Sequence, residues 1–137
     1  MSGTDSPLAP PLEMFDLEVK AVDGVETMRL CARSLAKHDV NIDALNYRDI
    51  DGTRSLHLLL QDGLAAVGIL LADHVTAVTC RPVLVYTLPN HPGTLARYSG
   101  ALVDDDVPID FIYQATARGV VVASPDLDAV RASFAAA

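Results

Sequence analysis

The stretch Asn90-His91-Pro92-Gly93-Thr94-Leu95 carries the residue types best suited to holding a charged small molecule. An apolar run, Pro82-Val83-Leu84-Val85-Tyr86, leads into it, and helical periodicity from Thr94 to about Asp104 leads out. The first N–H groups of a helix have no acceptor inside it, and the helix dipole adds positive potential at that end. A carboxylate fits there. Pro92 needs no donor at a helix start, and Gly93 lets another group approach the backbone. Asn90 and His91 could add side-chain donors. The same residues also make an ordinary strand-to-helix turn, and His91 is as readily a solvent-exposed loop residue as a ligand donor.

Other chemistry finds little support. His38, His57, His74 and His91 are isolated and lack the paired spacings of a zinc site. His38 reads as a cation at a helix C-terminus, and His57, between Leu56 and Leu58, as a structural strand residue. No G-x-S-x-G nucleophile turn is present. Asp104-Asp105-Asp106 reads as a solvated helix end, because a metal there would need further oxygen ligands. Cys31 lies on an apolar helical stripe, far in sequence from Cys80, so the two cysteines suggest no disulfide. The expectation is a protein without catalytic residues, metal or cofactor.

Composition narrows the partners. The chain has 137 residues, half of them hydrophobic, with a net charge of −8 and no Lys/Arg cluster. That argues against nucleic acid and against an anionic membrane surface. Without a signal peptide or an apolar run of transmembrane length, a soluble cytoplasmic protein is expected.

The elements that must position the loop follow from periodicity. Residues 1–13, rich in proline, read as a disordered tail, with order beginning near Met14. Phe15, Leu17, Val19 and Ala21 alternate as in a strand. Val25, Met28, Cys31, Ala32 and Leu35 mark one face of a helix ending near His38. Asn41–Leu45 and Ser55–Leu60 read as strands around an Asp51-Gly52 turn. Asp62 caps a helix to about Ala72, and Val75–Thr79 reads as a fourth strand. An offset of 67 residues then lays Thr27 on Thr94, Leu35 on Leu102 and Asp43 on Asp110. Beyond a hairpin four residues shorter, Leu64, Ala66 and Val67 fall on Leu127, Ala129 and Val130. Ser124-Pro125 is expected to open the last helix. The reading is a tandem βαββαβ repeat with domains at 14–80 and 81–137. The second copy lacks a clear last strand, which would leave Val83–Thr87 as an exposed apolar edge and favour a homodimer.

With its Pro-Gly loop and the Val40-Asn41-Ile42 start of the second strand, the βαββαβ unit resembles the ACT domain. Two copies alone resemble the stand-alone tandem-ACT proteins, a group that includes the glycine cleavage system transcriptional repressor. The resemblance implies an α+β fold, two ferredoxin-like units sharing an antiparallel sheet. It also implies a non-enzymatic sensor that binds an amino acid at the seam between ACT units and acts on a regulated enzyme. Carried over, the ligand site would combine Asn90, His91, Pro92, Gly93, Thr94 and Leu95 with Asn41, Ile42 and Asp43. The reciprocal site, Asp23, Gly24, Val25 and Glu26 with Pro108 and Asp110, has lost the Pro-Gly pair and the asparagine, and its acids would repel a carboxylate. One working site per chain is expected. Tyr47 and Tyr113 are expected on the sheet or a dimer face, or lining the pocket. The alternative is an interaction or dimerisation module whose ligand loop is vestigial.

Overall fold

The structure, a computed structural model, describes residues 8–117 and 119–137; residues 1–7 of the predicted tail lie outside the described residues. The element order is β1 (Leu12–Lys20), α1 (Val25–Lys37), β2 (Ala44–Ile50), β3 (Thr53–Leu60), α2 (Gly63–Ala72), β4 (Val78–Thr87), α3 (Thr94–Asp104), β5 (Phe111–Gln114), β6 (Gly119–Ala123) and α4 (Leu127–Ala136). The strands form an antiparallel sheet in the order β2-β3-β1-β4-β6-β5, giving the predicted α+β fold. The two second strands, β2 and β5, are its edges rather than neighbours.

The chain divides into two compact units, Glu13–Pro82 and Val83–Ala137, the latter joined by the segment ending at Leu12. In the first, Leu17 and Val19 of β1, with Ala21 just beyond it, point to the same side as Leu56, Leu58 and Leu60 of β3. They bury against Cys31 and Leu35 of α1 and Ala66 and Leu70 of α2. Period-two strands and a 3.6-period helix face give one core. The inward face of α1 is Thr27, Cys31, Ser34 and Leu35, whereas Val25, expected on that face, is exposed. In the second unit Leu84, Tyr86 and Leu88 pack with Tyr98, Leu102, Val120, Val122, Val130 and Phe134, and Leu8 packs on the same cluster.

Four expectations are corrected. The strands predicted at Val75–Thr79 and Pro82–Tyr86 are one strand, β4. Proline prefers extended backbone and lacks only a donor, so Pro82 does not break it. Consequently Val83–Thr87 is no exposed edge: β4 lies between β1 and β6, and Val83 and Leu84 are fully buried. β1 begins at Leu12, ahead of Met14, and β2 begins at Ala44, leaving Asn41–Asp43 as loop. The cap of α4 is Asp126, whose carboxylate accepts from the Ala129 N–H at 3.0 Å. Ser124 instead accepts from the Asp126 N–H and donates to the Pro108 carbonyl.

The two units repeat the same backbone bonds. Val40 N–H donates to the Leu35 carbonyl and Val107 to Leu102, each at 3.0 Å. Asp39 and Asp106 both adopt positive φ, 58° and 54°, after their helices. Asp43 N–H donates to Leu59, and Asp110 to Ala123, each at 2.8 Å. Asp62 caps α2 as Asp126 caps α4. The offset is therefore 67 residues before the hairpin and 64 after it, so the second hairpin is three residues shorter, not four.

His57 is tied to Asp16, which is 1% exposed, by a 2.8 Å hydrogen bond through Nδ1. That bond raises the imidazole pKa against the opposing effect of burial. A His pKa raised by folding adds stability that is full below the unfolded value of about 6.5 and is lost as pH rises through the folded value. Urea unfolding should therefore show stability falling as pH increases above about 6.5, and His57→Gln should flatten that slope. An unchanged slope in the variant would assign the dependence elsewhere.

Candidate functional site

β4 ends at Thr87, and the chain crosses Leu88 to Gly93 before α3 begins at Thr94. Gly93 takes φ 91° at the N-cap, a left-handed conformation costly for a residue with Cβ. The turn is held by Thr94 N–H to the His91 carbonyl at 3.3 Å and by the Thr94 hydroxyl against His91 Nδ1 at 3.2 Å. Arg97 N–H donates to the Gly93 carbonyl. Among the described residues the N–H groups of Leu95 and Ala96 have no backbone acceptor, as in the first turn of any helix.

Against this turn lies a cleft of about 370 Å³, contained within the second unit. Leu88, Asn90, His91, Thr94 and Leu95 form one wall; Gln114 and Ala115 at the end of β5, with Val120 of β6, form the other. Among the described residues no lysine, arginine, aspartate or glutamate lines it. The cleft thus offers backbone donors, two side-chain amides, a hydroxyl and an imidazole in an otherwise apolar setting. Its described residues have hydrogen bonds for a carboxylate and an ammonium.

Of the nine predicted ligand residues, Asn90, His91, Thr94 and Leu95 line the cleft, and Pro92 and Gly93 shape its loop. Asn41, Ile42 and Asp43 are not among its lining. They lie before β2 in the first unit, where the Asn41 amide donates to the Asp43 carboxylate at 2.7 Å and Ile42 packs on the first core. Gln114 was not among the predicted residues, although one signal pointed to it: the 67-residue offset places it on Tyr47. The ladder agrees, with Tyr47 opposite Leu56 and Gln114 opposite Val120.

That pair separates the two units. In the first, a Cβ on Gly24, the N-cap of α1, would sit 3.4 Å from the Tyr47 hydroxyl and 3.9 Å from Arg54 Nη1. At Gly93, the N-cap of α3, a Cβ would meet nothing within 4 Å. Tyrosine fills the approach to one helix N-terminus; glutamine leaves the other open. The reciprocal group is further occupied: Arg29 holds Glu26, lowering its pKa, and the Pro108 carbonyl accepts from Ser124. Among the described residues no three His, Cys, Asp or Glu side chains are placed to hold a metal ion, and no helix is long and apolar enough to cross a membrane.

No family model matches the chain, and no curated protein matches it in sequence. Solved structures do match. Protein BT0572 from Bacteroides thetaiotaomicron superposes with a TM-score of 0.72 at 24% identity, over 92% of this chain and 88% of that one. The regulatory subunit of aspartate kinase from Thermus thermophilus, in its ligand-free form, gives 0.66 at 11% identity, over 94% and 97%. The corresponding subunit from Thermus flavus gives 0.62 at 14% identity, over 94% and 99%. The likeness lies in the architecture, and what it establishes is that this chain has the ACT-type fold of βαββαβ units.

Proposed function

We propose that the chain is a non-enzymatic regulatory protein, a stand-alone tandem-ACT sensor that binds one amino acid in the cleft of its second unit. The observation that carries this is the 370 Å³ cleft, lined among the described residues by apolar and uncharged polar side chains, beside the first-turn N–H groups of Leu95 and Ala96. In the proposal those amides and Asn90 take the ligand's carboxylate, and the Gln114 side chain and loop carbonyls take its ammonium. The kinship in fold with regulatory subunits of aspartate kinase supports a regulatory role exerted on an enzyme. The alternative of an interaction module with a vestigial site suits the first unit, whose loop Tyr47 fills, but not the second. A homodimer belongs to the same proposal. Its support is now the sheet edges β2 and β5, with Leu45, Ile50 and Ile112 exposed.

The test is a thermal-shift screen of the twenty amino acids. A ligand that binds only the folded state stabilises it by about 2.7 kcal/mol at a hundred times its Kd. One amino acid, or a small group with uncharged side chains, should raise the melting temperature, with one ligand per chain by calorimetry. Flat melts with every amino acid at millimolar concentration would leave the interaction module as the better reading.

A further inference from the structure

α2 is a ten-residue helix, Gly63–Ala72, without a single charged or polar side chain. A helix that is apolar on all sides belongs in an interior, yet only Gly63, Ala66 and Leu70 are buried. Leu64 is 80% exposed and Leu71 48%, and Gly68 shares their face at helical spacing. The fold does not require this. α4 stands at the same place in the second unit, and there the positions of Leu64 and Val67 are held by Asp128 and Arg131, which pair at 2.9 Å. One helix is dressed for water and its counterpart is not.

The flank of this face is cationic. Between α1 and α2 lies a recess of about 220 Å³ lined by Leu30, Arg33, Ser34, Lys37, Ala72, Asp73 and His74. The Asp73 carboxylate accepts from the Ser34 hydroxyl, and its pKa is lowered first by that bond and then by Lys37, His38 and His74. Glu26, in the first turn of α1, is bound by Arg29. Arg33 and Lys37 are exposed and outnumber the ionised Asp73 in this recess beside an apolar helix, on a chain whose net charge is −8.

We propose that the exposed face of α2, with Arg33 and Lys37 at its flank, is a docking surface for an acidic amphipathic helix of a partner protein. Such a helix would lay leucine-like side chains over Leu64, Gly68 and Leu71 and set carboxylates against Arg33 and Lys37. Gly68 leaves room for it, since a Cβ there would meet nothing within 4 Å. The apolar contact supplies affinity and the charges set register and choice of partner. This surface lies wholly in the first unit and is independent of the ligand cleft.

The test uses the full chain and two labelled synthetic helices with the same leucine stripe, one flanked by glutamates and one by lysines. Fluorescence anisotropy should show the glutamate helix binding at least about tenfold more tightly, with the preference shrinking as salt screens the charges. Leu64→Asp, which copies the second unit, should weaken both helices by about tenfold or more. Because Leu64 is exposed, its melt should match the wild type. Arg33→Glu with Lys37→Glu should invert the preference. The proposal is overturned if neither helix binds, if both bind alike and the charge-reversed variant changes nothing, or if Leu64→Asp lowers the mass of the chain by light scattering. That last result would show that a second copy covers the face.

Discussion

Gln114→Tyr is expected to abolish the amino-acid-induced rise in melting temperature while leaving the unliganded protein as stable as before. Tyr47 stands at the same ladder position in the first unit, and its hydroxyl reaches to 3.4 Å from the place of a Cβ on the helix N-cap. A tyrosine at 114 would extend across the cleft toward the Leu95 and Ala96 N–H groups in the same way. The loss combines steric exclusion with occupation of the donors, so binding should fall by more than the roughly 1–3 kcal/mol of a single missing hydrogen-bond partner. Gln114→Leu separates the two effects: it keeps the space and removes the amide, and should cost about 1–3 kcal/mol of binding. Position 114 is exposed, so neither change should move the unliganded stability by more than about 0.5 kcal/mol. Wild-type affinity in the tyrosine variant would place the ligand outside this cleft. The converse substitution, Tyr47→Gln, opens the first unit's loop but leaves Glu26 and Asp23 beside it, so a second ligand per chain is not expected.

What could be read from the chain was what neighbouring residues decide. The alternation of Phe15, Leu17, Val19 and Ala21, the Asp51-Gly52 turn and the Asp62 cap each state their element within a few positions, and the fold keeps all of them. The Pro92-Gly93 loop is likewise local, and the cleft forms against it. Choices made between distant residues were hidden. Ser124 and Asp126 are both good caps, and the Pro108 carbonyl, sixteen residues back, engages the serine. β4 runs unbroken through Pro82 because both of its halves find neighbours in the sheet. Gln114 becomes part of a site only when β5, outside the loop by sequence, forms the opposite wall. The repeat did carry that information, since Tyr47 and Gln114 coincide at the offset that aligns Thr27 with Thr94, but nothing local gives the pair meaning.

Gly63→Ala should destabilise the protein by about 2 kcal/mol, although alanine is the better helix former by about 1 kcal/mol. Gly63 is the first residue of α2, buried directly after its cap. A Cβ there would lie 2.6 Å from Cys80 Sγ, 2.6 Å from Phe15 Cγ and 2.8 Å from Phe15 Cβ. The Phe15 Cβ is fixed to the β1 backbone and cannot rotate away, so the helix or the strand must shift, and the overpacking term outweighs the propensity gain. At the matching offsets Phe15 becomes Pro82 and Gly63 becomes Leu127, a smaller strand residue with a larger helix residue. Leu127 packs on its own core. The melting temperature of Gly63→Ala should fall by roughly 6–10 °C for a chain of this size. Adding Phe15→Leu should recover part of the loss, because the two changes share one space and their effects do not add. If Gly63→Ala melts at or above the wild type, or if Phe15→Leu only adds to its loss, the approach of α2 to β1 is looser than these distances require.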